Sequence, residues 1–116
     1  MELRALGHSG LMVSRLALGT MSWGRDTDAD DAAEQLKAFT DAGGTLVDTA
    51  DVYAYGRAEE LLGELIGPVV PRSAVQIATK AVAVPALRRR DASRGHLLSA
   101  LDASLARLRT DHVDLW

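Results

Sequence analysis

Three side chains of this sequence, Asp48, Tyr53 and Lys80, could act together on a carbonyl group. Asp48 ends the apolar stretch "TLVD", Tyr53 follows in the next segment, and Lys80 ends a second apolar stretch, "AVQIATK". A phenol, whose pKa is about 10, is a weak acid at neutral pH, and a nearby ammonium strengthens it by stabilising the phenolate. A carboxylate beside the lysine would hold that ammonium charged and oriented. Such a phenol can give a proton to a carbonyl oxygen as a hydride reaches the carbon.

The lysine itself stands out, because the chain has eleven arginines and only two lysines, Lys37 and Lys80. Arginine would serve this chemistry less well, since its charge is diffuse and its fork favours bidentate partners. The rarity of lysine therefore favours a specific role for Lys80.

The N-terminal third of the chain is expected to form a hairpin, a strand and a helix. "LRAL" and "MVSRLAL" flank the turn-forming cluster "GHSG", and a further strand ends near Gly19. Asp26, Thr27 and Asp28 are N-cap candidates for a helix with apolar residues at helical spacing. Gly43-Gly44 is a plausible stop for that helix.

The remaining segments alternate strand and helix. "TLVDTA" and "AVQIATK" are predicted strands, "RAEELLGELIG" is a predicted helix, and "AVAVPALRRRDAS" is irregular. Asp91 or Ser93 is expected to cap a long helix whose leucines pack against the sheet, and "HVDLW" opens one more strand. Alternation of this kind implies parallel strands in an α/β fold, either doubly wound or a barrel. A whole (β/α)8 barrel takes about 250 residues, so we expect residues 1–116 to form a single incomplete domain.

In parallel α/β folds the functional residues gather at the carboxyl ends of the strands. The first such end carries Gly19, Thr20 and Met21, the second carries Asp48 with Tyr53 beyond it, and the third carries Lys80. We therefore expect these residues to lie together at the carboxyl-terminal edge of the sheet, which we call the mouth.

Composition excludes several classes of protein. With 47% hydrophobic and 25% charged residues and a net charge of −3, the chain predicts a globular domain with no nucleic-acid or membrane partner. It has no cysteine, which is compatible with a cytoplasmic location and excludes thiolate metal sites. His8, His96 and His112 lack the spacing of metal ligands, so no metal site is predicted.

Four ordered blocks of the sequence, "GLMVSRLALGTMSWG", "VDTADVYAYGRAEELLGELI", "IATK" and "SLARLRTDHVDLW", resemble the aldo-keto reductases. The resemblance covers nearly the whole chain. It implies a (β/α)8 TIM barrel with an N-terminal β-hairpin, of which this chain would be the N-terminal half. It also implies NADPH-dependent reduction of an aldehyde or ketone to an alcohol.

The resemblance assigns a role to each residue of the expected mouth. Tyr53 would be the proton donor, Lys80 would make it a better acid, and Asp48 would pair with Lys80 near the nicotinamide ribose. Gly19, Thr20 and Met21 would border the cofactor, and Trp23 would line the substrate pocket with Tyr53. The family's catalytic histidine and adenosine-phosphate pocket have no counterpart within these residues.

Three alternatives stay open at this point. Tyr55 could replace Tyr53 as the donor, although spacing from Asp48 favours Tyr53. The protein could be a non-catalytic NADPH-binding regulatory or interaction subunit. It could also be an inactive half-barrel that associates with itself through the open edges of its outer strands.

Overall fold

The computed structural model describes residues 1–116 and contains seven short strands and three α-helices. Strands β1 (Leu3–Ala5) and β2 (Met12–Ser14) form the expected antiparallel hairpin. Ser14 connects this hairpin to a segment more than 30 residues further along the chain. Its hydroxyl accepts the backbone N–H groups of Thr45 (2.9 Å) and Leu46 (3.2 Å). The hairpin therefore lies at the amino-terminal end of the parallel sheet, away from the expected mouth.

The centre of the molecule is a parallel sheet of β3 (Ala17–Gly19), β4 (Leu46–Asp48) and β5 (Gln76–Ala78). The strands lie side by side in chain order, and each new strand is added at the same edge. A barrel adds its strands in one direction throughout, and a doubly wound sheet does so within each of its halves, so this order fits both of the expected architectures. The carboxyl ends are level, with Gly19 opposite Asp48 and Asp48 opposite Ala78.

Helix α1 (Ala29–Asp41) follows β3 and begins at the expected cap. The Asp28 side chain accepts the backbone N–H groups of Asp30 and Asp31, each at 3.0 Å, which satisfies two of the free donors of the first turn. Ala32 and Leu36 form its buried face. Of the three cap candidates, the structure selects Asp28.

Helices α2 (Arg57–Leu65) and α3 (Arg94–Leu108) pack closely on each other. At Gly63 a Cβ would lie 2.4 Å from the Arg107 carbonyl oxygen, so only glycine permits this approach. Helix α3 begins at Ser93, whose hydroxyl accepts the His96 N–H at 3.4 Å, while Asp91 accepts the N–H of Ser93 at 2.9 Å. The side chains buried between sheet and helices form one core, which includes Trp23, Leu36, Val47, Leu61, Leu62, Ile77 and Leu108.

Two sequence expectations about α3 and its flanks were wrong in part. The expected irregular stretch contains a small hairpin, β6 (Ala83–Val84) paired with β7 (Arg89–Arg90). The leucines of α3 are not all core residues: Leu108 is fully buried, but Leu98 is 47% exposed, because the helix packs mainly on α2 rather than across the sheet.

The expected last strand forms only a parallel bridge. Leu115 pairs with Ala78, and the N–H of Thr79 donates to the Leu115 carbonyl at 3.1 Å. The chain therefore adds a fourth position to the sheet beside β5 without a regular strand. Each of the three helices lacks the length and apolar character that a membrane-spanning segment requires.

Candidate active site

The Lys80 ammonium is the centre of the site at the carboxyl ends of the strands. Its Nζ lies 2.8 Å from both carboxylate oxygens of Asp48 and 2.9 Å from the carbonyl oxygen of Thr49. It also lies 3.4 Å from the hydroxyl oxygen of Tyr53 and 5.1 Å from the centre of that ring. The ammonium therefore joins β4, β5 and the segment that follows β4.

Burial opposes the charge on Lys80, yet the group is held as a cation. Partial burial is the largest influence and lowers the pKa of Lys80, but the hydrogen bond and charge of Asp48 raise it, with help from Tyr53. The result is a pKa above the ordinary value for lysine. Lys80 is therefore a stable positive charge beside the phenol.

Asp48 is held in place through its backbone by Thr20. The carbonyl oxygen of Asp48 accepts both the N–H of Thr20 at 3.0 Å and its hydroxyl at 3.1 Å. Thr20 is fully buried, so its hydroxyl faces Asp48 rather than the open mouth. The Thr20 side chain therefore supports β4 from β3, and the role of Thr20 in bordering a cofactor stays a prediction.

The segment after β4 selects between the two tyrosines. A 3-10 turn spans Tyr53–Gly56, and within it Ala54 and Tyr55 adopt left-handed conformations with φ of 49° and 55°. Such conformations cost non-glycine residues about 1–2 kcal/mol each and concentrate at functional sites. The turn directs Tyr53 towards Lys80 and leaves the Tyr55 side chain 96% exposed. Tyr53 is therefore the phenol that meets the ammonium.

The other expected mouth residues divide into open and closed positions. Met21 is 60% exposed, and no atom comes within 4 Å of a Cβ built on Gly19, so the end of β3 is accessible. Trp23 is different: it is fully buried in the core, and its Nε1–H donates to Gln35 at 2.9 Å. The expectation that Trp23 lines the substrate pocket was therefore wrong, because its ring packs beneath α1.

A cavity of about 360 Å³ opens directly at the Tyr53–Lys80 pair, and we refer to it as the mouth cavity. Its wall combines these two side chains with small and apolar residues, the Asp51 carboxylate and one guanidinium, Arg90. It thus has an acid and two cations beside an apolar surface, an arrangement suited to a polar, electron-rich oxygen on an apolar body.

Sequence reasoning missed a buried network behind the site. The Glu59 carboxylate, fully buried, accepts the Thr79 hydroxyl at 2.6 Å and the Arg107 Nε–H at 2.7 Å. Thr79 directly precedes Lys80, and the Arg107 side chain lies against Gly56 at the end of the Tyr53 turn. One signal was available: Glu59 lies three residues before the buried Leu62, so a carboxylate falls on the apolar face of α2.

No three His, Cys, Asp or Glu side chains come together in a way that could hold a metal ion. The three histidines lie apart: His96 Nε2 contacts the Ala81 carbonyl oxygen at 2.6 Å, and His112 Nδ1 contacts Asp111 at 2.6 Å.

Parallel strands in this order, with a lysine, an aspartate and a tyrosine converging at their carboxyl ends, define an α/β protein with a polar site at one edge of its sheet. The chain belongs to the aldo/keto reductase family, whose sequence model matches residues 15–116. This confirms the family resemblance of the sequence.

Individual relatives agree with this family. The chain is 42% identical to a 6-dehydroglucose reductase of Novosphingobium aromaticivorans, covering 97% of this chain and 40% of that protein. It is 38% identical to a probable voltage-gated potassium channel subunit beta of rice, covering 99% of this chain and 36% of that one.

A solved structure agrees as well. The crystal structure of PA4992, a candidate aldo-keto reductase of Pseudomonas aeruginosa, superimposes with a TM-score of 0.83 at 38% identity, over 96% of this chain and 44% of that one. The chain thus spans about two fifths of the length of the relatives it matches.

Proposed function

We propose that this chain contributes the proton-donating side of an oxidoreductase that reduces an aldehyde or ketone to an alcohol with NADPH. The observation that carries the proposal is the triple contact of Lys80, with both oxygens of Asp48 at 2.8 Å and with the Tyr53 hydroxyl at 3.4 Å. Family membership supports the class of reaction. The similarity to a protein named as a 6-dehydroglucose reductase supports a reductive direction.

Each of the three residues would have a distinct task. Tyr53 would donate its hydroxyl proton to the carbonyl oxygen, Lys80 would stabilise the phenolate that remains, and Asp48 would keep Lys80 charged and oriented. NADPH, when bound, supplies the hydride. The open backbone at Gly19 and the exposed Met21 fit a flat group lying across the end of β3, next to Asp48.

The proposal extends to the fold of the whole protein, its substrate and its cellular location. We propose that β3, β4 and β5 are consecutive strands of a (β/α)8 barrel, because they follow each other at one edge. The family's histidine and adenosine pocket would lie outside these residues, so we expect the 116-residue chain alone to be inactive. The substrate would be a small carbonyl compound, and a cytoplasmic location stays a prediction.

Tyr53→Phe tests the assignment in the full-length polypeptide that carries this chain. We expect it to remove most NADPH-dependent turnover of simple aldehydes while NADPH binding, measured by fluorescence titration, is largely kept. Tyr55→Phe is the matched control, because the Tyr55 side chain is 96% exposed, and it should leave turnover unchanged. Near-normal turnover of Tyr53→Phe would sink the assignment.

A second candidate function is a non-catalytic NADPH-binding regulatory or interaction subunit. It is favoured by the 38% identity to a probable potassium channel beta subunit of rice. NADPH binding without turnover on a broad panel of aldehydes and ketones would favour this function over the first. If the chain instead forms defined oligomers by itself, the self-associating half-barrel becomes the better description.

A further inference from the structure

A second cavity, of about 420 Å³, lies beside the mouth cavity, and no role described above uses it. It runs between the Tyr53 turn and the β6–β7 hairpin, and we call it the outer groove. Its apolar wall is formed by Val52 and by residues 83–86, and its polar groups are Asp51, Tyr55 and His96. The two cavities share Asp51, Val52 and Ala83, so they are neighbours across a single wall.

The polar groups of the outer groove can accept hydrogen bonds or attract positive charge. Asp51 takes part in none of the ion pairs of the molecule. His96 Nε2 lies 2.6 Å from the Ala81 carbonyl oxygen, which can only accept, so Nε2 carries a proton. In the neutral ring, Nδ1 is then left as an acceptor.

Burial makes the Asp51 carboxylate responsive to a cation. Partial burial, and after it the negative charge of Glu59, raises the pKa of Asp51 above its ordinary value. The positive charges of Arg107 and His96 oppose this shift but do not outweigh it. A carboxylate that has lost part of its hydration, and that forms no ion pair within the protein, gains more from an arriving positive charge than a solvated one does.

Tyr55 supplies the second component of a cation site. Its ring is almost fully exposed at the edge of the groove, on a residue whose φ of 55° is unfavourable for an L-amino acid. An exposed aromatic face beside a carboxylate is the pairing that recognises organic ammonium groups. The mouth cavity also contains Asp51 but adds the cations Lys80 and Arg90, whereas no lysine or arginine lines the outer groove.

We propose that the outer groove binds an organic ammonium group carried on an apolar body. Asp51 would face the positive charge, the Tyr55 ring would cover it, and Val52, Val84 and Pro85 would hold the apolar body. The ammonium could belong to a separate ligand or to the far end of a carbonyl substrate that reaches the mouth. Turnover is not needed for this inference, so loss of the proposed reductase activity would leave it standing.

Binding of benzyltrimethylammonium to the full-length polypeptide that carries this chain, followed by backbone amide NMR, tests the inference. We expect saturable changes in the amide chemical shifts of residues 51–55 and 83–86. Uncharged benzyl alcohol should bind at least tenfold more weakly. Asp51→Asn and Tyr55→Ala should each weaken binding about tenfold, whereas Tyr55→Phe should keep it, because the ring is retained. Asp111→Asn is the control, since that side chain is 94% exposed and lies outside the groove.

A second probe distinguishes the two sources of the ammonium. 4-Acetylbenzyltrimethylammonium should change the chemical shifts of the groove amides in either case. Additional changes at Tyr53, Lys80 and Ala81 would identify a substrate that spans both cavities. The absence of those additional changes would identify a separate ligand. Equal binding of benzyl alcohol and the cation would overturn the inference, as would unchanged affinity in Asp51→Asn. Spectra of the variants that match the wild type outside the groove would exclude unfolding as the cause.

Discussion

The carbonyl oxygen of Asp48 accepts two hydrogen bonds from one residue, Thr20, through its N–H at 3.0 Å and its hydroxyl at 3.1 Å. Thr20 follows β3 directly, and Asp48 ends β4. Asp48, whose carboxylate pairs with Lys80, is thus held in place by a residue at the end of the neighbouring strand. Threonine recurs at this level of the sheet, since Thr49 follows β4 and Thr79 follows β5, and all three are buried.

Thr20→Val should destabilise the protein, whereas Thr49→Val should not. The Thr20 hydroxyl loses its bond to Asp48, which costs about 1 kcal/mol of unfolding free energy. The Thr49 hydroxyl is buried with no partner, so its replacement by a methyl group should be neutral or stabilising. Urea unfolding of both variants measures the difference, and an equal loss in the two would contradict this account.

Asp48→Asn should lower the pKa of Lys80. The carboxylate is what overcomes burial in the wild type, so without its charge burial dominates and the cation is less favoured. NMR titration of the lysine Nζ groups checks this with little overlap, because Lys37, on α1, is the only other lysine. An unchanged Lys80 titration would show that Asp48 does not hold the ammonium in solution.

The same shift predicts a pH dependence of stability. The folded pKa of Lys80 lies above its unfolded value of about 10.5, so the folded state binds the proton more tightly. This contribution is present in full below pH about 10.5 and is lost as the pH rises through the folded pKa. The loss of unfolding free energy as the pH rises through this range should therefore be smaller in Asp48→Asn than in the wild type. Urea unfolding below and above pH about 10.5 measures it, and an equal loss in the two proteins would contradict the assignment of this stability to Lys80 and Asp48.

Arg107→Met should be strongly destabilising, because it leaves the buried Glu59 carboxylate without its cation. Breaking one partner of a buried pair typically costs about 3–5 kcal/mol, while replacing both partners by apolar residues can recover much of this. We therefore expect Glu59→Leu/Arg107→Met to be more stable than Arg107→Met alone in urea unfolding. Arg109→Met is the control, since Arg109 is 64% exposed and its contact with Glu64 is 3.7 Å long; a loss as large as that of Arg107→Met would contradict this explanation.

Two glycine-to-alanine changes in helices should have opposite effects. Gly63→Ala places a Cβ 2.4 Å from the Arg107 carbonyl oxygen, so α2 and α3 must separate, and we expect a loss of about 1–3 kcal/mol. Gly95→Ala, in the first turn of α3, meets no atom within 4 Å and should gain up to about 1 kcal/mol from helix propensity. Thermal unfolding of the two variants decides this, and a stable Gly63→Ala would show that the helices are not in tight contact.

Much of the local structure and the main relationship of the site were predictable from the sequence alone. The cap at Asp28 and the strand at residues 46–48 follow from side-chain chemistry and periodicity acting over a few neighbouring residues. The meeting of Asp48 and Lys80 could be inferred from residues far apart, because parallel strands place their carboxyl ends at one edge. The short spacing after Asp48 favoured Tyr53 over Tyr55, and Tyr53 is the phenol beside Lys80.

Only the tertiary structure decided which buried polar groups pair behind the carboxyl-terminal edge of the sheet, and which aromatic side chains are open to the mouth. Thr20 comes directly after β3 and Trp23 lies four residues beyond its end, yet packing of α1 and β4 buries both. Glu59 is 20 residues from Thr79 and 48 from Arg107, and their contact requires α2 and α3 to meet closely at Gly63. Periodicity records how much of a helix face is buried but not against which partner, because that partner is set by the packing of distant segments. The same packing leaves Asp51 beside an open groove that no lysine or arginine lines, which no local pattern of the sequence indicates.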